Sequence, residues 1–427
     1  MRYDVIVIGA GAAGLAAARA LSGAGKRICL LEARDRVGGR ISTLHVPDLP
    51  LPIELGAEFV HGESATTFGI IDAAALTAIE LPDDHWWSSD DAHERIANYW
   101  ELMDGIRAKI RSRSRDLSFA DFLHAQRSLT ARTRELARGF VEGYHAAHAE
   151  RMSAFALRMA DGEQDQASGN KQFRIADGQD ALIAWLRSGL DPDRVDLRLG
   201  SVVTDVQWSD RKVVVSYRSR ETAERVRASA LVITIPIGVW KAPIDQEGAI
   251  RFDPPLREKE NALAHLETGH VVKIAFRFRE RFWDGMMNFV HSEDRFMPTW
   301  WIEAPVRSPI LTGWAGGHAA DALLAGGTET MIDRCLDAMS RAWHIPRKRL
   351  DARLAGTFQH DWQRDPFSRG AYSYAAVGGS RAHDALAKPI RGTLFFAGEA
   401  TSSDETGTVA GAIESGKRAS RELLQRK

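Results

Sequence analysis

The chain has 427 residues, 56 Lys plus Arg against 57 Asp plus Glu, and a formal net charge of −1. That length can bury a large core, and the balanced charge gives no field for steering toward nucleic acid or an anionic membrane, so neither partner is expected. Two cysteines, Cys29 and Cys335, exclude a disulfide framework, and no uninterrupted apolar run reaches the roughly 18 residues of a spanning helix, so a soluble, cytoplasmic setting is expected.

Residues 3–8 form a short apolar run, as in a strand buried on both faces. Gly9, Gly11 and Gly14 follow at G-x-G-x-x-G spacing. In such a turn the first glycine permits the tight bend. The second lets backbone approach a pyrophosphate, and the third lets the helix pack on the strand. A helix rich in Ala and Leu is predicted over 12–21, with N-terminal N–H groups at Ala12 and Ala13 that favour an anion. Gly23 and Gly25 end it. Residues 27–31 are the second strand, closed by Glu32, where a carboxylate can accept from both hydroxyls of a ribose. An acid there opposes a 2′-phosphate, so NADP is not expected. Asp4 and the three spaced glycines argue against a secretory signal over 1–21.

Residues 86–165 read as helical and polar, with few strand runs. Arg107, Lys109, Arg111, Arg113 and Arg115 alternate with other residues there, which reads as a solvated helix face. His145 and His148 lie three apart on a predicted helix without further ligands, so no metal site is expected. Strand character returns at 195–199, 202–208, 212–217 and 230–235, closed by Pro236 and Gly238. Residues 271–278 alternate apolar and polar, which puts Lys273 inside a strand. A buried lysine is rare, and the alternative is an edge position with a stem that snorkels to water. Residues 298–314 are rich in Trp, Ile and Pro, and 328–343 read as an amphipathic helix. The chain closes with a strand at 394–396, the loop that opens at Gly398 and Glu399, and a small-residue helix from Gly407.

With Gly38-Gly39-Arg40, the run Glu-Leu-Gly-Ala-Glu-Phe-Val-His-Gly over 54–62, Lys273, and Phe-Ala-Gly-Glu-Ala-Thr over 396–401, the chain resembles the flavin-dependent amine oxidases. That superfamily contains monoamine oxidases, polyamine oxidases and flavin-dependent histone demethylases. The resemblance covers about 1–62, 171–242, 268–284 and 358–418. It implies an α/β fold: a Rossmann-like FAD-binding domain of discontinuous segments (1–75, 170–240 and 385–427). The inserted α+β substrate domain, a mixed sheet plus a helical subdomain, comprises 76–169 and 241–384.

The resemblance also implies FAD, held by Gly9, Gly11, Ala13, Gly14, Glu32 and Ala33. Arg34, Gly38, Gly39 and Arg40 would run along the pyrophosphate and ribityl chain, with Gly56 and Ala57 following. Val203 matches the strand position whose backbone meets the adenine. Gly398 and Glu399 match the stretch near the ribityl and phosphate, and Thr408 and Val409 open the helix beside the pyrimidine ring. A helix N-terminus there would stabilise the charge of a reduced flavin. Glu58 either hydrogen-bonds the cofactor or caps a turn.

Lys273 matches the lysine that holds a water against flavin N5 and is implicated in reoxidation by oxygen. Tyr372 matches one wall of an aromatic cage, suited to an amine in either protonation state. Trp362 matches a cavity wall that also borders the cofactor. Plain core packing is the alternative for both. The second cage wall falls at Thr408, which is not aromatic, and the position of the flavin-linking cysteine of monoamine oxidases falls at Ala371. FAD is therefore expected to be non-covalent. His61 either accepts a proton or hydrogen bond from the amine or is satisfied at a strand end.

The expected reaction is hydride loss from the carbon next to nitrogen, giving an imine that hydrolyses to an aldehyde, with oxygen reduced to hydrogen peroxide. The expected partner is a small-molecule amine, with Glu142 a candidate grip for a distant nitrogen. The alternatives are a desaturase or porphyrinogen-type oxidase of the same fold, and a flavin-binding protein without turnover.

Overall fold

The structure is a computed structural model that describes residues 3–90, 92–111, 115–160, 171–220, 222–283 and 287–426. Among these, five strands form a parallel sheet in the order Val195–Arg198, Ile28–Leu31, Val5–Ile8, Ala230–Ile233, Leu394–Phe396. Three distant stretches of sequence therefore meet in one sheet. Every residue of its central strand is buried, as the unbroken apolar run requires when both faces are covered. Helix Ala12–Gly23 covers one face together with the last helix, Val409–Leu424. These helices touch closely. A Cβ on Gly416 would lie 2.2 Å from the Ala13 carbonyl oxygen, so glycine is what lets them meet. The first helix runs two residues past its predicted end and includes Gly23. The last begins at Val409 rather than Gly407, with Thr408 as its N-cap.

The other large sheet has seven strands among the described residues. Its order is Leu354–Phe358, Val271–Phe278, Ile310–Gly316, Thr299–Ile302, Phe289–Ser292, His85–Ser88, His93–Arg95. The last two correct the helical reading of the start of 86–165. They are short and Trp- and His-rich: His85–Ser88 pairs onto Phe289–Ser292, and His93–Arg95 pairs in turn onto His85–Ser88. Helices Tyr99–Arg107, Phe119–Ala125, Ala131–Tyr144 and Ala154–Ala160 follow. Arg113 lies outside the described residues.

The alternation in Val271–Phe278 has a cause different from the expected one. Val272, Ile274, Phe276 and Phe278 point into a core shared with helices Gly317–Leu324 and Thr328–Ala342. Val271, Lys273 and Ala275 point to the opposite face, which is covered too, so almost the whole strand is buried. It is also an interior strand, paired on both sides. Lys273 is thus not an edge residue with a snorkelling stem. No described helix is long and apolar enough to cross a membrane.

Candidate functional site

One continuous cavity of about 2230 Å³ runs from the glycine turn of the parallel sheet to the Lys273 face of the seven-stranded sheet. That exceeds the roughly 300–1,000 Å³ typical of a small-ligand pocket, so it has room for a dinucleotide and a second molecule.

At the first end the wall is backbone. Gly9 has φ +97°, and a Cβ there would meet the Thr234 hydroxyl at 2.6 Å. That hydroxyl donates to the Ile8 carbonyl at 2.7 Å. A Cβ on Gly14 would lie 1.8 Å from the Gly9 carbonyl oxygen, so Gly14 serves the packing of the turn on its helix and does not itself border the cavity. Gly11 bridges to Gly38, and Gly38 and Gly39 both have positive φ. The Arg36 guanidinium holds this second loop by donating to the carbonyls of Val37, Gly39 and Ile41 at 3.0–3.1 Å.

Glu32 is buried at the mouth of the turn and accepts from the backbone N–H of Ala10 at 2.7 Å and of Arg34 at 3.0 Å. A carboxylate has about four acceptor positions, so capacity remains for a ligand's hydroxyls. Ala33 lines the cavity beside it. The Arg34 guanidinium turns to Asp365, at 2.7 Å, and the Ser368 hydroxyl, at 2.8 Å. Backbone bonds from Gly200 to Arg34 and from Ser201 to Glu32, each 2.7 Å, draw strand Ser201–Ser209 alongside. Val203 faces the cavity immediately before an irregularity in that strand's pairing. Helix Ala12–Gly23 has no side-chain cap, and Gly11, Ala12 and Ala13 line the cavity at its N-terminus. These features fit a dinucleotide: uncapped N–H groups, an acid at ribose distance, and a cradle that a Cβ would fill.

In the middle, Arg40 donates to Glu399 at 2.9 Å and to the Ala371 carbonyl at 2.6 Å. Glu399 also accepts from the Ser373 hydroxyl at 2.6 Å. Gly398 has φ +123° and donates its N–H to the Ser415 hydroxyl at 2.8 Å. Thr408 caps the last helix, its hydroxyl accepting from Gly411 N–H at 2.9 Å and donating to the Glu405 carbonyl at 2.9 Å. Its side chain is thereby committed to the helix end, which it presents to the cavity together with Val409. Tyr372 lines the cavity nearby, its hydroxyl donating to the Tyr144 carbonyl at 2.8 Å, and its ring lies against Gly407. Burial pushes its phenol well above the usual range.

At the far end the lysine is held by charge. Lys273 Nζ lies 2.6 Å from Glu58 Oε2 and donates to the Gly56 carbonyl at 3.1 Å. Glu58 Oε1 accepts from Arg174 at 2.6 Å and from the Trp301 indole N–H at 3.0 Å. Burial alone would raise the Glu58 pKa, but Lys273 and Arg174 overcome it and hold the carboxyl well below its ordinary value. Glu58 is thus neither a turn cap nor directed at the cofactor alone: it neutralises two buried cations. Two further acids border this cluster, and burial is the main cause of their shift. Glu54 and Glu303 are both raised to about 7. Trp362 is almost wholly buried, donates to the Leu55 carbonyl at 2.9 Å, and lies against Gly56. A Cβ on Gly56 would lie 1.9 Å from the Arg40 carbonyl oxygen, and Ala57 lines the cavity next to it.

From Lys273 the sheet carries the cavity outward. Lys273 pairs with Trp314, Trp314 with Thr299, and Thr299 with His291, so these four share one row and one face. All four border the cavity, as do Trp301 and Phe289 on the same face. His61, at the end of strand Phe59–His61, packs edge-on against Tyr144 at 5.1 Å. Burial lowers the pKa of His61 to about 4 and of His145 to about 3, and puts that of His291 well below its ordinary value, so all three are neutral near pH 7.

The structure therefore brings Lys273, Tyr372, Trp362, His61 and Thr408 to the same cavity as the glycine turn. Three expectations fail. Glu142 is paired with Arg138 at 3.2 Å and does not line the cavity, so it offers no grip on a distant nitrogen. His145 and His148 do not share a helix. Helix Ala131–Tyr144 ends just before them; His145 borders the cavity, while His148 turns to Asp321 at 2.7 Å. Arg107 borders the cavity instead of lying on a wholly solvated face. Arg36, Arg174, Trp301 and Ser373 were not singled out from sequence. Only Arg174 carried a signal, an arginine between the apolar Phe173 and Ile175 in a short strand.

A Rossmann-type sheet joined through one cavity to a lysine-bearing mixed sheet defines the class as an α/β fold built around a dinucleotide site. The family model described as flavin containing amine oxidoreductase matches residues 12–424, and the chain belongs to that family. It is 29% identical over 461 residues to polyamine oxidase 3 of Oryza sativa subsp. japonica, covering 99% of this chain and 89% of that protein. It is 27% identical over 500 residues to lysine-specific histone demethylase 1 homolog 3 of Arabidopsis thaliana, covering 97% of this chain but 29% of that protein. It spans 58% of homolog 2 from the same plant. Among solved structures, putrescine oxidase bound to putrescine superposes with a TM-score of 0.82 at 22% identity, over 100% of both chains. Cyclohexylamine oxidase from Brevibacterium oxydans IH-35A gives 0.81 at 20% identity, over 99% of this chain and 100% of that one. These two likenesses concern the fold.

Proposed function

We propose that the chain is an FAD-dependent oxidase of small amines with an apolar body. The observation that carries this reading is the opening of the Lys273–Glu58 pair and the glycine turn into one cavity. When bound, FAD would supply the hydride-accepting chemistry for oxidation at the carbon next to the amine nitrogen. The resulting imine hydrolyses to an aldehyde or ketone, and oxygen is the final acceptor, giving hydrogen peroxide.

In this reading Gly9, Gly11 and Ala13 would form the pyrophosphate cradle, with Gly14 packing the turn on its helix behind them, and Glu32 would hold the ribose with Ala33 beside it. Arg34, Gly38, Gly39, Arg40, Gly56 and Ala57 follow the cofactor across the cavity, Val203 meets the adenine, and Gly398, Glu399, Thr408 and Val409 face the other end. Segments 1–75, 170–240 and 385–427 form the cofactor-binding half, and 76–169 with 241–384 the substrate half. Glu58 fixes the Lys273 ammonium, which retains one N–H to hold a water. Tyr372 and Trp362 orient the amine and exclude bulk water. His61, neutral, accepts a hydrogen bond from it. The apolar preference rests on the sheet face beyond Lys273, where Trp314, Thr299, Trp301 and Phe289 carry no charge; of the carboxylates that also line the cavity, Glu101 and Asp104 come from helix Tyr99–Arg107 and not from this face. FAD is non-covalent, since Ala371 occupies the linking position and both cysteines are buried in core clusters away from the cavity.

The test is anaerobic mixing of the yellow protein with a panel of alkyl, cyclic and arylalkyl monoamines, diamines and polyamines. Bleaching of the flavin by monoamines, followed by peroxide when air is admitted, is the expected result. Acid denaturation should release the flavin. Lys273→Met should retain flavin and slow its reoxidation, and unchanged reoxidation would refute the lysine's role. No bleaching across the panel with flavin intact would overturn the function.

A further inference from the structure

A second group of chemically capable side chains lies outside the cavity, where the helical insertion meets the seven-stranded sheet. Strand Ile310–Gly316 turns sharply at Gly317, φ +52°, into helix Gly317–Leu324. The corner is pressed against the end of helix Ala131–Tyr144, since a Cβ on Gly316 would lie 1.8 Å from the Glu142 carbonyl oxygen. That contact brings His318 and Asp321, one turn apart on the short helix and so on one face, beneath His148. Asp321 Oδ2 lies 2.7 Å from His148 Nε2. The rings of His148 and His318 are 4.8 Å apart. One ligand atom from each of His148, His318 and Asp321 lies within 4.8 Å of the others.

The outward atoms of these three side chains are also engaged. His148 Nδ1 lies 3.4 Å from the Tyr374 hydroxyl. Asp321 Oδ1 lies 2.5 Å from His270 Nδ1. His318 Nε2 lies 2.8 Å from Glu150 Oε2, and Glu150 is in turn held by Arg138 at 2.6 Å. Such outer partners fix ring orientation and tautomer around bound metals. Asp321 and His318 are partly exposed, so an ion has a path in and room for water.

We propose that His148, His318 and Asp321 form a binding site for one divalent transition-metal ion of the zinc type. Two imidazoles and one carboxylate suit Zn²⁺, Co²⁺, Ni²⁺ or Cu²⁺ and not the all-oxygen preference of Ca²⁺ or Mg²⁺. Water completes the coordination. The ion replaces the hydrogen bond between His148 and Asp321, and the His148 proton resides on Nδ1, facing the Tyr374 hydroxyl. The site fastens the loop after helix Ala131–Tyr144 to helix Gly317–Leu324. Through the bond from Gly317 N–H to the His270 carbonyl at 3.2 Å, it reaches the strand that carries Lys273. The role is structural, and it is independent of the amine reaction.

The test uses tag-free, flavin-loaded protein stripped with a chelator and dialysed against Zn²⁺ or Co²⁺. Expected are one metal per chain by elemental analysis, a visible Co²⁺ absorption spectrum of nitrogen–oxygen coordination, and a raised thermal midpoint. Asp321→Asn and the exposed His318→Ala should each abolish all three while keeping flavin content, and His318→Ala should also keep the metal-free midpoint. Absence of stoichiometric uptake by the unmodified chain overturns the proposal. So does uptake that both variants retain, which would mark adventitious binding to other histidines.

Discussion

At its glycine-lined end the cavity wall is main chain, set by local sequence: a turn between two neighbouring strands, an uncapped helix, and Gly38 bridged back to Gly11. At its aromatic end the wall is side chains drawn from Phe59, Tyr144, Phe289, Trp301, Trp314 and Tyr372, which share no local motif. The first end has no room for added volume at Gly9 and Gly14, where a Cβ would meet the Thr234 hydroxyl and the Gly9 carbonyl oxygen. The second is governed by charge balance, because Lys273, Arg174 and Glu58 are buried together. Steric change should therefore damage the one, and electrostatic change the other.

The largest effect is expected at the charged end. Glu58→Leu leaves Lys273 and Arg174 buried without their shared counterion, which should cost about 3–5 kcal/mol in denaturant unfolding. Gly14→Ala comes next. Its Cβ falls 1.8 Å from the Gly9 oxygen, a contact that backbone must relieve. A loss on the order of 3 kcal/mol and a lowered flavin-to-protein absorbance ratio are expected. If Gly14→Ala keeps full flavin content, the close-packed account of that end fails.

The smallest effect depends on pH. Burial raises the Glu303 carboxyl from its ordinary value near 4.5 to about 7, and its Oε2 has no hydrogen-bond partner among the described residues. Between those values the folded form keeps a proton that the unfolded chain has lost. Stability contributed by this group therefore falls as pH rises through that window. Glu303→Gln cannot ionise, so the variant should match the parent near pH 4 and exceed it above pH 7 by no more than about 3 kcal/mol. Equal pH–stability curves for the two would show that Glu303 ionises freely. Glu54 shifts in the same direction and remains in both proteins.

The same contrast governs what could be read from sequence. Gly9, Gly11, Gly14 and Glu32 were legible because their geometry is decided within one strand–turn–helix–strand unit. Gly398, Glu399 and Thr408 were legible only by resemblance, since their place beside that unit depends on the pairing of Leu394–Phe396 with Ala230–Ile233. Lys273 stood out as a charge in an apolar strand. Its partners did not. Arg174 reaches Glu58 from the strand register that sets it opposite Phe59, and Trp301 reaches it from a third segment. Strands His85–Ser88 and His93–Arg95 escaped notice because they are too short for periodicity to declare them.

The row from Lys273 through Trp314 and Thr299 to His291 turns the sheet into a measuring scale. Neighbouring strands stand about 4.8 Å apart, so the floor advances in steps of that size and His291 sits roughly 14 Å from the lysine. A molecule lying on this floor is gauged in whole strands. Enlarging the side chain at the third mark, Thr299, would cut the reach to the first two marks, Lys273 and Trp314.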